Sequence, residues 1–306
     1  MTASLIFAQL LNGLQLGVLL FLLSAGLTLV LGIMNVINLA HGSLFMMGAY
    51  FGASVFGWTH SFLLACLAAV IGAALLGLLL ERTILTRLYG RDHLYQVLAT
   101  FGIILVLNEV VRIIWGQSPT FLNTPEWLSG TVSLLGLQYP AYRFAIITVG
   151  LTIGLALYFV IHKTRVGMLI RAGASNPAMV SALGTNITRL NALVFAMGAA
   201  LAGLAGVMAG PILSVQPGMG EPVLILTLVV IVTGGVGSIR GAFYGALIIG
   251  TVDTVGRAFL PTMLREVVEP TVAQAAGPAI ASILIYLLMA IVLALKPHGL
   301  FPVKHG

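Results

Sequence analysis

The chain has 306 residues, 59% of them hydrophobic and only 7% charged, where a soluble domain carries roughly 25% charged. With a mean hydropathy of +1.11, this composition excludes an ordinary soluble protein; 59% of 306 residues is about 180, enough for roughly nine membrane spans of about 20 residues. Fourteen Lys and Arg against eight Asp and Glu give a net charge of +6, but the basic residues fall in short loops, the pattern of cytoplasmic membrane loops and not of a nucleic-acid footprint.

Long unbroken apolar runs also exclude a β-barrel, whose strands alternate apolar and polar. The expected fold is an all-α polytopic transmembrane bundle of about 8–9 spans, one transmembrane domain over residues 1–306. Cys66 is the single cysteine, so neither an internal disulfide nor a thiolate metal cluster is available. No formally charged side chain precedes Glu81. The first apolar run therefore lacks the basic region of a signal peptide and is expected to persist as a span.

The runs lie at about 8–32, 37–57, 61–80, 94–115, 143–161, 190–213, 222–240, 241–260 and 277–295. Arg82, Arg87 and Arg91 follow the third. Lys163, Arg165, Arg171 and Arg189 lie between 162 and 189, and Lys296 and Lys304 in the tail. Placing basic loops in the cytoplasm gives an outside N-terminus and an inside C-terminus. The segments 116–142 and 214–221, with Glu126 and Glu221, are then expected outside.

Two stretches interrupt the apolar pattern. Leu31–Ser43 carries Asn35, Asn38, His41 and Ser43; Thr233–Gly241 carries Gly234, Gly235, Gly237 and Ser238. Such residues break or expose backbone, which hydrocarbon tolerates only where protein buries it or water reaches it. Each stretch reads either as a discontinuous helix lining a solute path or as a tight cytoplasmic turn. Small residues recur at four-residue spacing, in Gly198, Ala202, Gly206 and Gly210 and in the pairs Gly13/Gly17, Gly48/Gly52 and Gly241/Gly245. They predict close helix contacts.

The loop at 162–189 contains the pattern of a complete short helix over about 177–183. Asn176 suits the N-cap, Pro177 the first helical position and Gly184 the left-handed end. Met179, Val180 and Leu183 are expected to form its apolar face, which either docks on a partner or lies on the bilayer. Glu109 and Arg112 stand three apart and Asp253 and Arg257 four apart, spacings that allow pairing on one helix face. Trp58, Trp115 and Trp127 are expected at membrane interfaces. His60, His93, His162, His298 and His305 fall near span ends or in the tail. His41 and Ser43, two apart on a helix, point to different sides, which argues against a Ser/His protease.

Arg171–Gly184, followed by a Gly/Ala-rich span, resembles the cytoplasmic coupling loop of ABC importer permeases. Ala25–Tyr50, with Asn35-Val-Ile-Asn38-Leu-Ala-His41-Gly-Ser43 at its centre, resembles the N-terminal signature of the branched-chain amino-acid permease family. Gly234-Gly-Val-Gly-Ser-Ile-Arg240-Gly-Ala-Phe-Tyr-Gly245 is similar to that family's late glycine motif, and the overall resemblance is to its H-type subunit.

The resemblance implies a bacterial inner-membrane permease subunit paired with a second permease, two cytoplasmic ABC ATPases and a periplasmic solute-binding protein. Its solutes would be branched-chain amino acids or related small amino acids, amides or carboxylates. The polar residues of the two interruptions would border the path. Arg171, Ser175, Asn176, Pro177, Met179, Val180, Leu183 and Gly184 would engage the ATPase. No G-x-x-x-x-G-K-[ST] occurs, so ATP and Mg would belong to the partner ATPases, with no cofactor, metal or catalytic residue here. A stand-alone carrier or channel shares the broken helices but does not require a docking helix.

Overall fold

A computed structural model describes residues 3–134 and 136–302; Lys304 and His305 lie outside the described residues. The described helices are α1 (Ala3–Met34), α2 (His41–Thr59), α3 (Phe62–Thr83), α4 (His93–Trp115), α5 (Ala141–Lys163), α6 (Arg165–Ser175), α7 (Pro177–Ala182), α8 (Ile187–Ala209), α9 (Gly220–Gly234), α10 (Ile239–Leu264) and α11 (Pro270–Leu295). A hairpin of β1 (Thr131–Leu134) and β2 (Leu137–Pro140) precedes α5. This all-α reading omitted the hairpin, whose strands are four residues each and close at Gly136 with φ +83.

Seven of the helices, α1, α3, α4, α5, α8, α10 and α11, are long and apolar enough to cross a membrane. At 15 residues α9 reaches only about 22 Å, short of a hydrocarbon core of about 30 Å. The first ten residues of α2, His41–Tyr50, are all buried, as are residues 17–30 of α1, so these stretches meet protein on every side. Helices α2 and α9 adjoin the two interruptions anticipated from the sequence.

The chain forms two compact units, each assembled from several stretches. One comprises Leu22–Pro125 and Thr152–Ile225, and its core is α2, α3 and α8. On α3, Ala65, Ala69 and Ala73 are fully buried while Leu63, Leu67, Ile71, Leu75 and Leu79 are 48–69% exposed. Both stripes run at four-residue spacing, so this helix is sorted by side-chain size and not by polarity. That is how helices pack when lipid is as apolar as leucine. Backbones touch in this core: a Cβ on Gly48 would collide with Gly203, one on Gly206 with Phe45, and one on Gly26 with Gly198.

The other unit combines the chain up to Phe21, Glu126–Leu151 and the chain from Leu226 onward. Here α10 packs against α11, and Gly17 of α1 meets Gly250 of α10 backbone to backbone. Asp253 is buried and pairs with Arg257 at 2.7 Å, as its spacing predicted, and Arg257 also donates to Ser282 Oγ at 3.0 Å. The Glu109–Arg112 pair forms at 3.5 Å with both side chains more than half exposed, which makes it worth little to stability.

Candidate functional site

The first interruption is a true helix break. α1 ends at Met34, Asn35 takes a left-handed φ of +48, and α2 resumes at His41. His41 Nε2 lies 3.2 Å from the Leu23 carbonyl. Leu23 is eleven residues before the end of α1, so α2 starts about 16 Å back along α1 at 1.5 Å per residue. The six-residue connection therefore folds back into the protein, which favours the discontinuous-helix reading over a surface turn.

Its backbone is satisfied by α4. Ile37 N–H donates to Gln96 Oε1 at 3.1 Å and Leu39 N–H to Thr100 Oγ1 at 3.2 Å. Gln96 is itself held by donating to the Arg91 carbonyl at 3.2 Å. Of the four predicted path residues here, Asn35 is exposed, whereas Asn38, His41 and Ser43 are at most 3% exposed.

The start of α9 lies beside that of α2: a Cβ on Gly42 would strike the Gly220 backbone, and one on Gly220 the Gly42 backbone. The chain returns to this point from Val215, which pairs with Thr120. Glu221, in the first turn of α9, accepts from Asn108 Nδ2 at 2.5 Å, and Asn108 Oδ1 accepts from Gly218 N–H at 3.2 Å. Asn108 is seven residues inside the end of α4, about 10 Å. Glu221 thus lies half-buried in the first turn of α9 against α4, and not in a loop. Trp115, the last residue of α4, donates its indole N–H to Ser54 Oγ at 2.7 Å, and its ring lies 5.0 Å from that of Tyr50.

The second interruption breaks between Gly234 and Ile239. Gly235 (φ +114) and Gly237 (φ +79) occupy conformations that L side chains rarely adopt. Ser238 caps α10 by accepting from Gly241 N–H at 3.0 Å. The carbonyls at the end of α9 are capped by the tail, with Leu300 N–H on Thr233 O and Phe301 N–H on Gly234 O, both at 2.9 Å. Gly234 and Gly235 are buried; Gly237 and Ser238 are partly exposed. This group belongs to a different compact unit from Asn35–Ser43.

The loop at 162–189 is a helix pair. Thr164 caps α6 and Asn176 caps α7, its Oδ1 accepting from Met179 N–H at 2.9 Å. Pro177 opens α7, and Gly184 follows it with φ +87. Arg171 donates to the Ile161 carbonyl near the end of α5, so this residue fastens α6 in place. Met179 and Leu183 are 57% and 78% exposed, with Ser175, Asn176, Pro177 and Gly184 exposed around them. Val180 departs from expectation: it is 6% exposed and faces inward, because α7 packs on α6 and α8. Gly173 of α6 packs on Leu190 and Ile33, the latter two residues before the break at Asn35.

A cavity of about 220 Å³ lies in this region, lined by Ile33, Met34, Tyr89, Gly173, Pro177, Ile187, Leu190 and Asn191. Tyr89 donates to the buried Glu81 at 2.7 Å. Burial first, and then the Glu81 carboxylate, push its hydroxyl well above the usual phenol range, so it stays a donor.

The family model described as "Branched-chain amino acid transport system / permease component" matches residues 9–293. The chain is 31% identical over 275 residues, 85% of its length and 89% of the relative's, to the Salmonella typhimurium high-affinity branched-chain amino acid transport system permease protein LivH. It is 30% identical over 274 residues, again 85% of its length and 89% of the relative's, to the corresponding protein BraD of Pseudomonas aeruginosa. Similarity extends to the ribose import permease protein RbsC of Escherichia coli, 28% identical over 242 residues, 75% of this chain and 71% of that one. No solved structure matches the chain.

Proposed function

The chain belongs to the family of branched-chain amino acid transport system permease components, and from that premise we propose that it is one half of the translocation pathway of an ATP-driven importer. It is a multi-pass membrane protein, which this reading places in the bacterial inner membrane. A second permease subunit completes the path, two cytoplasmic ABC ATPases bind ATP and Mg, and a periplasmic protein delivers the solute. The solutes are branched-chain amino acids or related small amino acids, amides or carboxylates. The branched-chain amino acid and ribose permeases among its relatives support assigning much of the selectivity to the delivering protein.

The observation that carries this reading is the α6–α7 pair. Six residues make a helix too short to persist alone in water, yet α7 is capped at both ends and anchored by Val180. It holds two large apolar side chains, Met179 and Leu183, away from its own packing. In the proposed mechanism these enter a groove on the ATPase. Displacement of α7 passes to α6, and from Gly173 to Ile33 at the end of α1, beside the break at Asn35. Among closely packed groups such a push moves elements as units.

Leu183→Asp or Met179→Asp is expected to leave membrane insertion intact and to abolish transport-linked ATP hydrolysis in proteoliposomes. Coupling at the wild-type level in both variants would sink the assignment of α7.

A further inference from the structure

A helix start leaves backbone N–H groups unbonded and carries a partial positive charge. When buried it needs a cap, and no side chain caps α2. Ser43 and Leu44 N–H turn back to the Ala40 carbonyl, leaving the amides of His41 and Gly42 at the head of the helix.

Asn38 lies two residues before the Ala40 N-cap. Its Oδ1 accepts from Ala40 N–H at 3.0 Å, which fixes the side chain across the helix start, and its Nδ2 is buried without a partner. His41 Nε2 faces a carbonyl, which only accepts, so that nitrogen carries the proton. Nδ1, buried and unpartnered, is then an acceptor. The start of α9 is in contact through Gly220, and the next residue, Glu221, has Asn108 on Oε1 and a buried Oε2 with no partner.

Unpartnered donors and acceptors thus remain on the two helix starts that meet at Gly42 and Gly220. A simple anion would satisfy only the donors, and a cation only the acceptors. We propose that this junction is the station at which the α-carboxylate and α-ammonium of an amino acid are held during passage. The amides of His41 and Gly42 and Asn38 Nδ2 receive the carboxylate, and Glu221 Oε2 and His41 Nδ1 receive the ammonium. Helix starts that meet within a membrane protein are suited to this use. The station is occluded here, with Asn38 2% and His41 0% exposed. The two helix starts touch through glycine backbone, so parting them extracts no side chain from a socket. The assignment rests on the reading of the chain as an amino-acid permease component and adds to it the part of the solute that is recognised.

The test is leucine uptake by the complete assembly in proteoliposomes, with basal ATP hydrolysis as the check on assembly. Asn38→Leu removes a donor together with the acceptor of the Ala40 amide, and Glu221→Gln replaces an acceptor oxygen by an amide. Each is expected to raise the KM for leucine at least tenfold while the assembly and its basal hydrolysis persist. Assembled variants with unchanged KM would leave an interior water cluster only and overturn the station. Should either variant fail to assemble, the wild-type complex decides. A hydrophobic carbodiimide is expected to modify Glu221, read by mass spectrometry, and leucine supplied with its binding protein is expected to slow that modification at least threefold. Modification indifferent to leucine, or none at Glu221 in a transporting complex, overturns the station. A wild-type assembly that takes up no leucine removes the permease reading and this site with it, whereas normal wild-type uptake beside unaffected variants removes the site alone.

Discussion

The two helix breaks solve one problem by different means. Between Met34 and His41 the freed amides of Ile37 and Leu39 are satisfied by side chains of another helix, Gln96 and Thr100. Between Gly234 and Ile239 the freed carbonyls of Thr233 and Gly234 are satisfied by backbone of the tail, and glycines take the positive φ angles. The first break keeps polar side-chain atoms to spare, in Asn38 and His41. The second leaves the Thr233 hydroxyl alone buried without a partner, and none among Gly235, Gly237 and Ser238. Side-chain closure thus leaves amide and imidazole nitrogens over at one break, whereas backbone closure leaves a single hydroxyl at the other. The sequence grouped both breaks as path residues; their surroundings separate them.

The largest effect is expected where a glycine contact excludes any side chain. Gly234→Val drives carbon into the Gly241 backbone, and overpacking costs about 1–3 kcal/mol even where side chains can yield. Loss of monodisperse protein after detergent extraction checks this, and a well-behaved variant would show that the joint is loose. Gln96→Leu leaves the half-buried Ile37 amide without its acceptor, at a cost of up to about 1–3 kcal/mol. Its midpoint of thermal unfolding should fall, and hydrogen exchange should quicken at 35–40 and not at 235–238. The most local effect belongs to removal of residues 299–306. Three backbone hydrogen bonds are lost, two of them to α9 and each worth about 0.5–1.5 kcal/mol, together with the Phe301–Tyr244 ring contact, and exchange should quicken at 233–238 and not at 35–40. Exchange spreading equally to 35–40 in that truncation would erase the distinction between the breaks.

Much of this was legible because polar and small residues are rare in apolar runs. Asn, His and Gly marked both breaks, four-residue glycine spacing marked the backbone contacts, and Asn176-Pro177 with Gly184 gave the limits of α7 through capping rules that are local. What remained hidden depends on partners distant in sequence. Val180 points inward because α6 and α8 lie behind it, and α6 itself was read as loop. Glu221 is interior because Asn108, 113 residues earlier, meets it. The tail's hold on α9 has no signature beyond Gly299, whose φ is +82.

If this chain works as the membrane half of an importer driven from α7, its partners come with it when the tagged protein is isolated from native membranes in mild detergent and its companions are identified by mass spectrometry. The account predicts recovery of a second permease together with P-loop ATPases, and loss of the ATPases alone in Leu183→Asp. Recovery of the chain by itself, stable and monodisperse, would contradict it and point to a stand-alone carrier.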